Sequence, residues 1–125
     1  MTEYENHYHV ATELTVDIED AVRLPPLTGI QVLRIIQEAL SNSRKHAKAT
    51  MTAVSFQQLG DCITIAVTDD GCGFNPQEAE NKGALHMGLK IMRERAESIG
   101  GKLSVESNPG HGTCVTVQLN VTQTK

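Results

Sequence analysis

The stretch ITIAVTDDGCGF, residues 63–74, joins an alternating apolar segment to two adjacent carboxylates and a Gly-Cys-Gly turn. In the alternating segment, large apolar side chains lie at every second position: Ile63, Ile65 and Val67. That period is typical of a half-buried strand, and it places Asp69 on the apolar face and Asp70 on the opposite one. A tight turn at a strand end would explain Asp and Gly together. A carboxylate on the apolar face also suits a ligand with donors, such as the adenine amine, and glycines let a flat ring approach the backbone.

Further strands are predicted on both sides of this one, because apolar and polar residues alternate there too. One strand lies within residues 13–20, two lie within 49–70 and form a hairpin through residues 59–61, and two lie within 102–121 around a glycine-rich turn. The order of elements is then β-α-β-β-loop-α-β-β.

Two helices are predicted between the strands. The first follows two prolines, takes Thr28 as its N-cap and runs to Ala47, with an apolar stripe at helical spacing: Leu33, Ile36, Leu40 and Ala47. The second covers residues 86–99 and ends at Gly100 and Gly101. Its stripe consists of Leu85, Leu89, Met92, Ala96 and Ile99.

Single apolar stripes on the helices and alternating strands predict an α+β fold. We expect a two-layer α/β sandwich, with a mixed sheet of about five strands and both helices on one face. Residues 12–121 would form the domain, residues 1–11 a linker or frayed lead-in, and residues 122–125 a tail.

The composition narrows the class of protein. A chain of 125 residues, 39% hydrophobic and 21% charged, is typical of one globular domain. A net charge of -4 and the absence of Trp argue against a nucleic-acid partner. Three cysteines without a C-x-x-C pair indicate neither a disulfide framework nor a zinc site. No apolar run approaches the roughly 20 residues of a membrane span, so we expect no direct membrane contact by this domain, and the cysteine pattern favours a reducing cytoplasm.

A polar triplet, Glu38, Asn42 and Lys45, shares one face of the first helix, opposite the predicted apolar stripe. A solvated surface would explain that pattern. The same three side chains could supply a carboxylate that accepts a proton, an amide oxygen for Mg²⁺ and an ammonium for a phosphate.

Glycine-containing segments near the second helix and before the last strand could also serve a ligand. Lys82, Gly83, His86 and Gly88 lie just before or inside the first turn of the second helix. Free N–H groups at a helix start favour an anion, although capping explains the glycines equally well. Residues 74–87 lack an apolar period, so we expect them to be the most mobile internal segment.

The order of these motifs carries a resemblance. E-x-x-x-N on the first helix, D-x-G-x-G at a strand end, a glycine-containing loop and G-x-G-T before the last strand resemble the N, G1, G2 and G3 boxes of the Bergerat (GHKL) ATP-binding fold. The resemblance covers about residues 12–120. IIQEALSNSRKHAKA (35–49) and HMGLKIMRERAESIGGKLSVES (86–107) look like bacterial sensor histidine kinases, especially the class that includes the nitrate/nitrite sensors.

The resemblance implies a role for each matching residue. Asp69 would bind the adenine amine, with Gly71 and Gly73 shaping the pocket. Asn42 would bind Mg²⁺, and Glu38 would help to activate the phosphoacceptor.

The remaining matches concern the phosphates and the support of the loops. Lys45 would approach a phosphate, and the nucleotide-binding lid would include Lys82, Gly83, His86 and Gly88. The rear support would consist of Gly110, Gly112 and Thr113. The usual G-x-G of the second glycine box is spread out here as GALHMG, residues 83–88.

By this resemblance the chain is the ATP-binding catalytic domain of a protein-histidine kinase, with ATP and Mg²⁺ as cofactors. Bound ATP would then order residues 74–87. It would donate the γ-phosphoryl group to a His on a separate dimerisation/phosphoacceptor domain, and its parent kinase would serve a response regulator. MTEYENHYHVATE does not resemble the acceptor helix, so we expect no stable self-phosphorylation. A parent kinase anchored in the inner membrane would be compatible with this. Two alternatives remain open: a stand-alone GHKL serine kinase of the anti-sigma type, and a non-catalytic ATP-sensing module.

Overall fold

The computed structural model describes residues 2–5, 11–18, 24–46, 48–74 and 83–120. Six strands and two helices occur there, in the order β1 Thr2–Glu5, β2 Ala11–Asp17, α1 Pro26–Lys45, β3 Met51–Leu59, β4 Cys62–Asp69, α2 Gly83–Ser98, β5 Lys102–Ser107 and β6 Thr113–Asn120. The strands form one sheet in the order β1-β2-β3-β4-β6-β5. Only the β2–β3 pair is parallel among these described strands, so the sheet is mixed.

The predicted two-layer α+β sandwich is confirmed. α1 contacts β3 and β4, α2 contacts β5, and the helices contact each other, so both lie on one face of the sheet. One apolar cluster fills the space between the layers: Val32, Ile35, Ala39, Val54, Ile63, Ile65, Val67, Leu89, Met92, Ala96, Leu103, Val115, Val117 and Leu119. Within the described residues, no helix has the length and hydropathy of a membrane span.

The sheet has one strand more than the five expected. Thr2–Glu5 pairs antiparallel with β2, in the segment 1–11 that the sequence indicates as a linker or frayed lead-in. Backbone hydrogen bonds to a neighbouring strand hold it there, and these need no alternation of side chains. The outer limits of the domain stay a prediction.

The predicted apolar stripe of α1 is only partly right: its Ile36 and Leu40 lie half-buried against the apolar cluster, but the fully buried face is rotated from it about the helix axis. The buried side chains are Val32, Ile35, Ala39 and Ser43, whereas Leu33 is 53% exposed. α1 packs against α2 as well as the sheet, and this second contact turns the buried face toward α2. Glu38 and Asn42 therefore flank the buried face and are half-buried, not opposite it as predicted.

The predicted start of α1 is also wrong. Thr28 is not the N-cap, because the helix begins at Pro26 after Pro25. Proline is favoured at the first helical position, where no partner for an N–H is needed. The helix ends at Lys45, and Ala47 lies outside the described residues.

The stripe and stop of α2 agree with the prediction, whereas its start is earlier. Leu89, Met92 and Ala96 are buried, and the side chain of Leu85 lies outside the described part. α2 begins at Gly83 and not at residue 86. It ends in a Schellman motif, where Gly101 N–H donates to Ala96 O at 2.8 Å and Gly100 N–H donates to Glu97 O at 3.1 Å.

Strand register brings the candidate ligand residues to one edge of the sheet. β3 and β4 form the expected hairpin, in which Leu59 pairs with Cys62. At the other end of β4, Asp69 pairs with Thr113, the first residue of β6. The D-x-G-x-G and G-x-G-T segments are therefore neighbours in space.

Candidate nucleotide site

A cavity opens between α1, the end of β4, the start of β6 and α2. Ten residues line it: Ala39, Asn42, Ser43, His46, Val67, Asp69, Phe74, Leu89, Thr113 and Val115. Apolar walls with a few convergent polar groups are typical of small-molecule sites. The cavity is therefore the strongest candidate for a ligand site in the described part of the molecule.

Asp69 lies in this cavity with its carboxylate held at both oxygens. Oδ2 accepts a hydrogen bond from Ser43 Oγ at 2.6 Å, and Oδ1 accepts one from Gly71 N–H at 2.9 Å. A carboxylate offers about four acceptor positions, so further lone pairs remain for a ligand. The position of Asp69 on the helix-facing side agrees with the alternation along β4.

Asp70 points to a different set of partners. Its carboxylate is exposed and accepts hydrogen bonds from Thr50 N–H (2.9 Å), Thr50 Oγ1 (2.7 Å) and Met51 N–H (2.9 Å). The bond from Met51, followed by that from the Thr50 hydroxyl, lowers the pKa of Asp70 below its ordinary value of 3.8. Asp70 thus fastens the start of β3 to the end of β4, whereas Asp69 faces the cavity.

Two glycines at the site have backbone atoms where a side chain would be. Gly73 has φ +68°, and a Cβ there would overlap the carbonyl oxygen of Asn108. Gly112 has φ +80°, and a Cβ there would overlap the carbonyl oxygen of Asp69. Both positions need glycine for conformation and for space.

Ser107 fixes the same two loops to each other. Its buried hydroxyl accepts a hydrogen bond from Phe74 N–H at 2.9 Å and lies 2.7 Å from Thr113 Oγ1 and 3.1 Å from Gly112 O. Gly110 N–H also donates to the carbonyl oxygen of Cys72 at 2.5 Å. The turn before β6 therefore supports the loop after β4 from behind.

Gly88 brings α2 close to the polar side chains of α1. It is buried in the second turn of α2, within the helix rather than in a preceding loop. A Cβ at Gly88 would lie 3.1 Å from Glu38 Oε1 and 3.3 Å from Asn42 Nδ2. The missing side chain thus leaves room for the carboxylate and the amide at the helix–helix contact.

Other predicted site residues are not brought into the cavity. Lys45, the last residue of α1, is exposed and lies outside the cavity's described lining, and Gly110 is exposed too. Lys82 and the segment 75–82 lie outside the described residues, as does the side chain of His86. The expected mobility of residues 74–87 stays a prediction.

Sequence reasoning missed four residues of this region: Ser43, His46, Phe74 and Ser107. The wrong rotation of α1 hid Ser43, although its spacing of four from Ala39 was visible. Ser107 could have been suspected because it immediately precedes the NPGHG turn. No group of three or more His, Cys, Asp or Glu suited to a metal ion occurs in the described residues.

The comparisons with known proteins agree with this geometry. Residues 28–123 match the family described as histidine kinase-, DNA gyrase B- and HSP90-like ATPase. The chain belongs to this family. Membership of the ATPase family implies that the chain binds ATP.

Among curated members, the nitrate/nitrite sensor protein NarQ of Escherichia coli is 40% identical over 116 residues, which cover 87% of this chain and 19% of NarQ. The signal transduction histidine-protein kinase/phosphatase DegS of Brevibacillus brevis is 34% identical over 100 residues, 80% of this chain and 25% of DegS. The chain thus spans a quarter or less of the length of both relatives. The predicted resemblance to sensor histidine kinases, nitrate/nitrite sensors included, is confirmed.

A solved structure shares the fold of this ATPase family member. The ATP binding domain of PrrB from Mycobacterium tuberculosis superposes with a TM-score of 0.66, at 21% identity, over 90% of this chain and 82% of that one. At this identity the likeness shows the fold alone.

Proposed function

We propose that this chain is the ATP-binding catalytic domain of a two-component sensor histidine kinase. It binds ATP in the cavity beside Asp69 and donates the γ-phosphoryl group to a His of a separate dimerisation/phosphoacceptor domain. A response regulator is then the next partner of the parent kinase. The observation that carries the proposal is the Asp69 carboxylate, fixed at both oxygens in a cavity with otherwise largely apolar walls.

The adenine ring lies between the two layers in this proposal. Val67, Leu89 and Val115 offer apolar surface on which a flat ring can pack. Asp69 accepts the hydrogen bond of the exocyclic amine. Thr113 supplies a hydroxyl beside it, and Gly73 and Gly112 keep the surrounding backbone close.

The phosphates lie toward Glu38, Asn42 and the start of α2. Glu38 precedes Ser43, the partner of Asp69, by five residues, which is about 7.5 Å along the helix axis. The carboxylates of Glu38 and Asp69 therefore lie at different points of the site and have different functions. The first turn of α2 favours an anion through its dipole and free N–H groups, and Lys82, Gly83 and His86 would contribute there, with Gly88 in the next turn. Lys45, the exposed last residue of α1, would approach a phosphate from the other helix.

Magnesium fits the oxygen donors at this point. Asn42 is half-buried and lines the cavity, and its amide and the Glu38 carboxylate both face Gly88. Mg²⁺ usually takes few protein ligands and completes its shell with phosphates and water, so Asn42 would hold it with Glu38 nearby. When bound, the ion neutralises charge on the transferred phosphoryl group.

Glu38 takes the part of the proton acceptor. In the transfer, the bond between the γ-phosphorus and the β–γ bridging oxygen breaks, and a bond to the acceptor imidazole nitrogen forms. Glu38 accepts or orients the proton of that imidazole. The histidine kinase names of the relatives favour this acceptor over the serine of an anti-sigma type kinase.

Asp69→Asn tests the adenine assignment. The amide would oppose one of its donors to the adenine amine, and ATP binding should weaken by about 2–3 kcal/mol, the cost of a mispaired buried polar group. Asp70→Asn is the matched control, since that carboxylate contacts Thr50 and Met51. Calorimetric titration with Mg-ATP measures both variants, and unchanged binding by Asp69→Asn would refute the assignment.

Glu38→Gln tests the assignment of the chemistry. The amide keeps the size of the side chain, so ATP should still bind, while transfer to a supplied phosphoacceptor domain should fall by about 100-fold or more. Glu97→Gln, on an exposed position of α2, controls for the loss of one charge. Equal transfer by Glu38→Gln and Glu97→Gln would contradict the role of Glu38.

Asn42→Ala tests the magnesium assignment. Removal of the amide oxygen should make ATP binding less dependent on Mg²⁺. Titrations with ATP, with and without Mg²⁺, measure that dependence, and an undiminished effect of Mg²⁺ would count against Asn42 as its ligand.

A further inference from the structure

We propose that Ser43 is a positioning residue for adenine recognition, which it serves by holding the Asp69 carboxylate in one orientation. This inference rests on the proposed function, because it concerns the same site. Its basis is the hydrogen bond from Ser43 Oγ to Asp69 Oδ2, which joins α1 to the end of β4.

The hydroxyl of Ser43 has two acceptors within reach. It lies 2.6 Å from Asp69 Oδ2 and 3.1 Å from Ala39 O, the carbonyl one turn earlier in α1. An ionised acceptor binds a hydroxyl more strongly than a neutral carbonyl, and 2.6 Å is a typical length for O–H···O⁻. The single proton of Ser43 is therefore assigned to Asp69.

The position of Ser43 in the core makes this bond informative. Ser43 is 3% exposed and follows Ala39 on the buried face of α1, beside apolar residues. A buried hydroxyl destabilises a fold unless it has a partner, and alanine is the better helix former at such a position. Core packing alone would therefore favour alanine at position 43, and the serine hydroxyl serves another purpose.

What it supplies is a fixed direction for the lone pairs of Asp69. The terminal torsion of an aspartate is broad and roughly two-fold, so a single hydrogen bond leaves the carboxylate plane free to turn. With Gly71 N–H on Oδ1 and Ser43 on Oδ2, the plane is fixed before a ligand arrives. ATP then binds without the cost of ordering that side chain.

Selectivity for the amine follows from the same geometry. Adenine presents a donor at its 6-position, and a fixed acceptor opposite it gains that hydrogen bond in full. Without Ser43 the carboxylate can turn away, and the amine loses part of its advantage. A ligand without the amine makes no use of the orientation of Asp69.

The test compares ATP with purine riboside 5′-triphosphate, which lacks only the exocyclic amine. Calorimetric titration of the 125-residue chain should show a preference for ATP of about tenfold or more. Ser43→Ala should lose most of that preference, with ATP weakened by about fivefold and the analogue changed by less than about twofold. Ser41→Ala, on the same helix, should retain the preference.

Two further variants guard against a trivial result. Ser43→Cys keeps a weak donor and should fall between the parent and Ser43→Ala, provided that thermal melting shows both to be folded. In an Asp69→Asn background, Ser43→Ala should have no further effect on the preference. If Ser43→Ala weakens the binding of ATP and of the analogue by the same factor, or weakens the binding of neither, Ser43 has a structural role only and the inference is overturned. ATP binding by the parent chain would in that case leave the proposed function standing. A parent chain that does not bind ATP would overturn both.

Discussion

The two ends of strand β4 are both closed by glycine turns, yet the glycines serve different purposes. At the hairpin end, Gly60 has φ +62° and open space where a side chain would be. At the site end, Gly73 and Gly112 have similar positive φ values, but the carbonyl oxygens of Asn108 and Asp69 occupy that space. The hairpin glycine only turns the chain, whereas the site glycines let two loops touch. Conformation alone does not distinguish them, and packing does.

The largest difference in stability between the two ends of β4 is expected when their turn glycines are replaced by alanine. Gly60→Ala should cost about 1 kcal/mol of the free energy of unfolding, for the positive φ alone. Gly73→Ala should cost about 3 kcal/mol, because the overlap with Asn108 adds the cost of an overpacked contact. Denaturant unfolding of both variants measures the difference. Equal losses would show that the site end is no tighter than the hairpin end.

A smaller difference in stability is expected when the carboxylates at the two ends of β4 are replaced by amides. Asp70 is bonded to Thr50 and Met51 at the site end, whereas Asp61 is an exposed residue of the hairpin turn. Asp70→Asn should lower the free energy of unfolding at pH 7 by about 1 kcal/mol, and Asp61→Asn by less.

The stability loss caused by Asp70→Asn should depend on pH. The pKa of Asp70 is lowered in the folded state, so its contribution is complete above the unfolded value of 3.8 and is lost as pH falls through the folded value. The stability difference between the parent and Asp70→Asn should therefore shrink in acid. A difference that stays constant down to pH 2–3 would contradict the carboxylate's role.

The smallest effect on stability is expected where the same contrast occurs in the helices. Gly29 in α1 has open space where a side chain would be, whereas Gly88 in α2 faces Glu38 and Asn42. Gly29→Ala should raise the free energy of unfolding by about 0.5–1 kcal/mol through helix propensity and leave transfer unchanged. Gly88→Ala should gain less, because the two polar side chains must shift.

Function should separate these two helix variants more than stability does. Gly88→Ala should lower phosphoryl transfer about tenfold, because the displaced Glu38 and Asn42 side chains would no longer be correctly oriented for the reaction. A transfer assay with a supplied phosphoacceptor domain measures it. Wild-type transfer by Gly88→Ala would show that glycine is not needed there for the site.

Much of the fold could be predicted from alternation and spacing. The strand period through Ile63, Ile65 and Val67 correctly placed Asp69 on the helix-facing side. The rotation of α1 could not be predicted in the same way, because VLRIIQEAL carries two overlapping apolar stripes one residue apart. Either stripe could be the more deeply buried one, and the contact with α2 decided which one is.

The sequence by itself determined which segments alternate, where glycines permit positive φ, and which motifs follow one another, because all of these depend on near neighbours in the chain. Tertiary structure decided that Ser43 meets Asp69 and that Phe74 N–H meets Ser107, across 26 and 33 residues respectively. It also decided that Gly73 lies against Asn108. Such contacts depend on how separate segments pack. The loop after β4 and the turn before β6 are separated in the chain by α2 and β5, and no local sequence period encodes the distance between them.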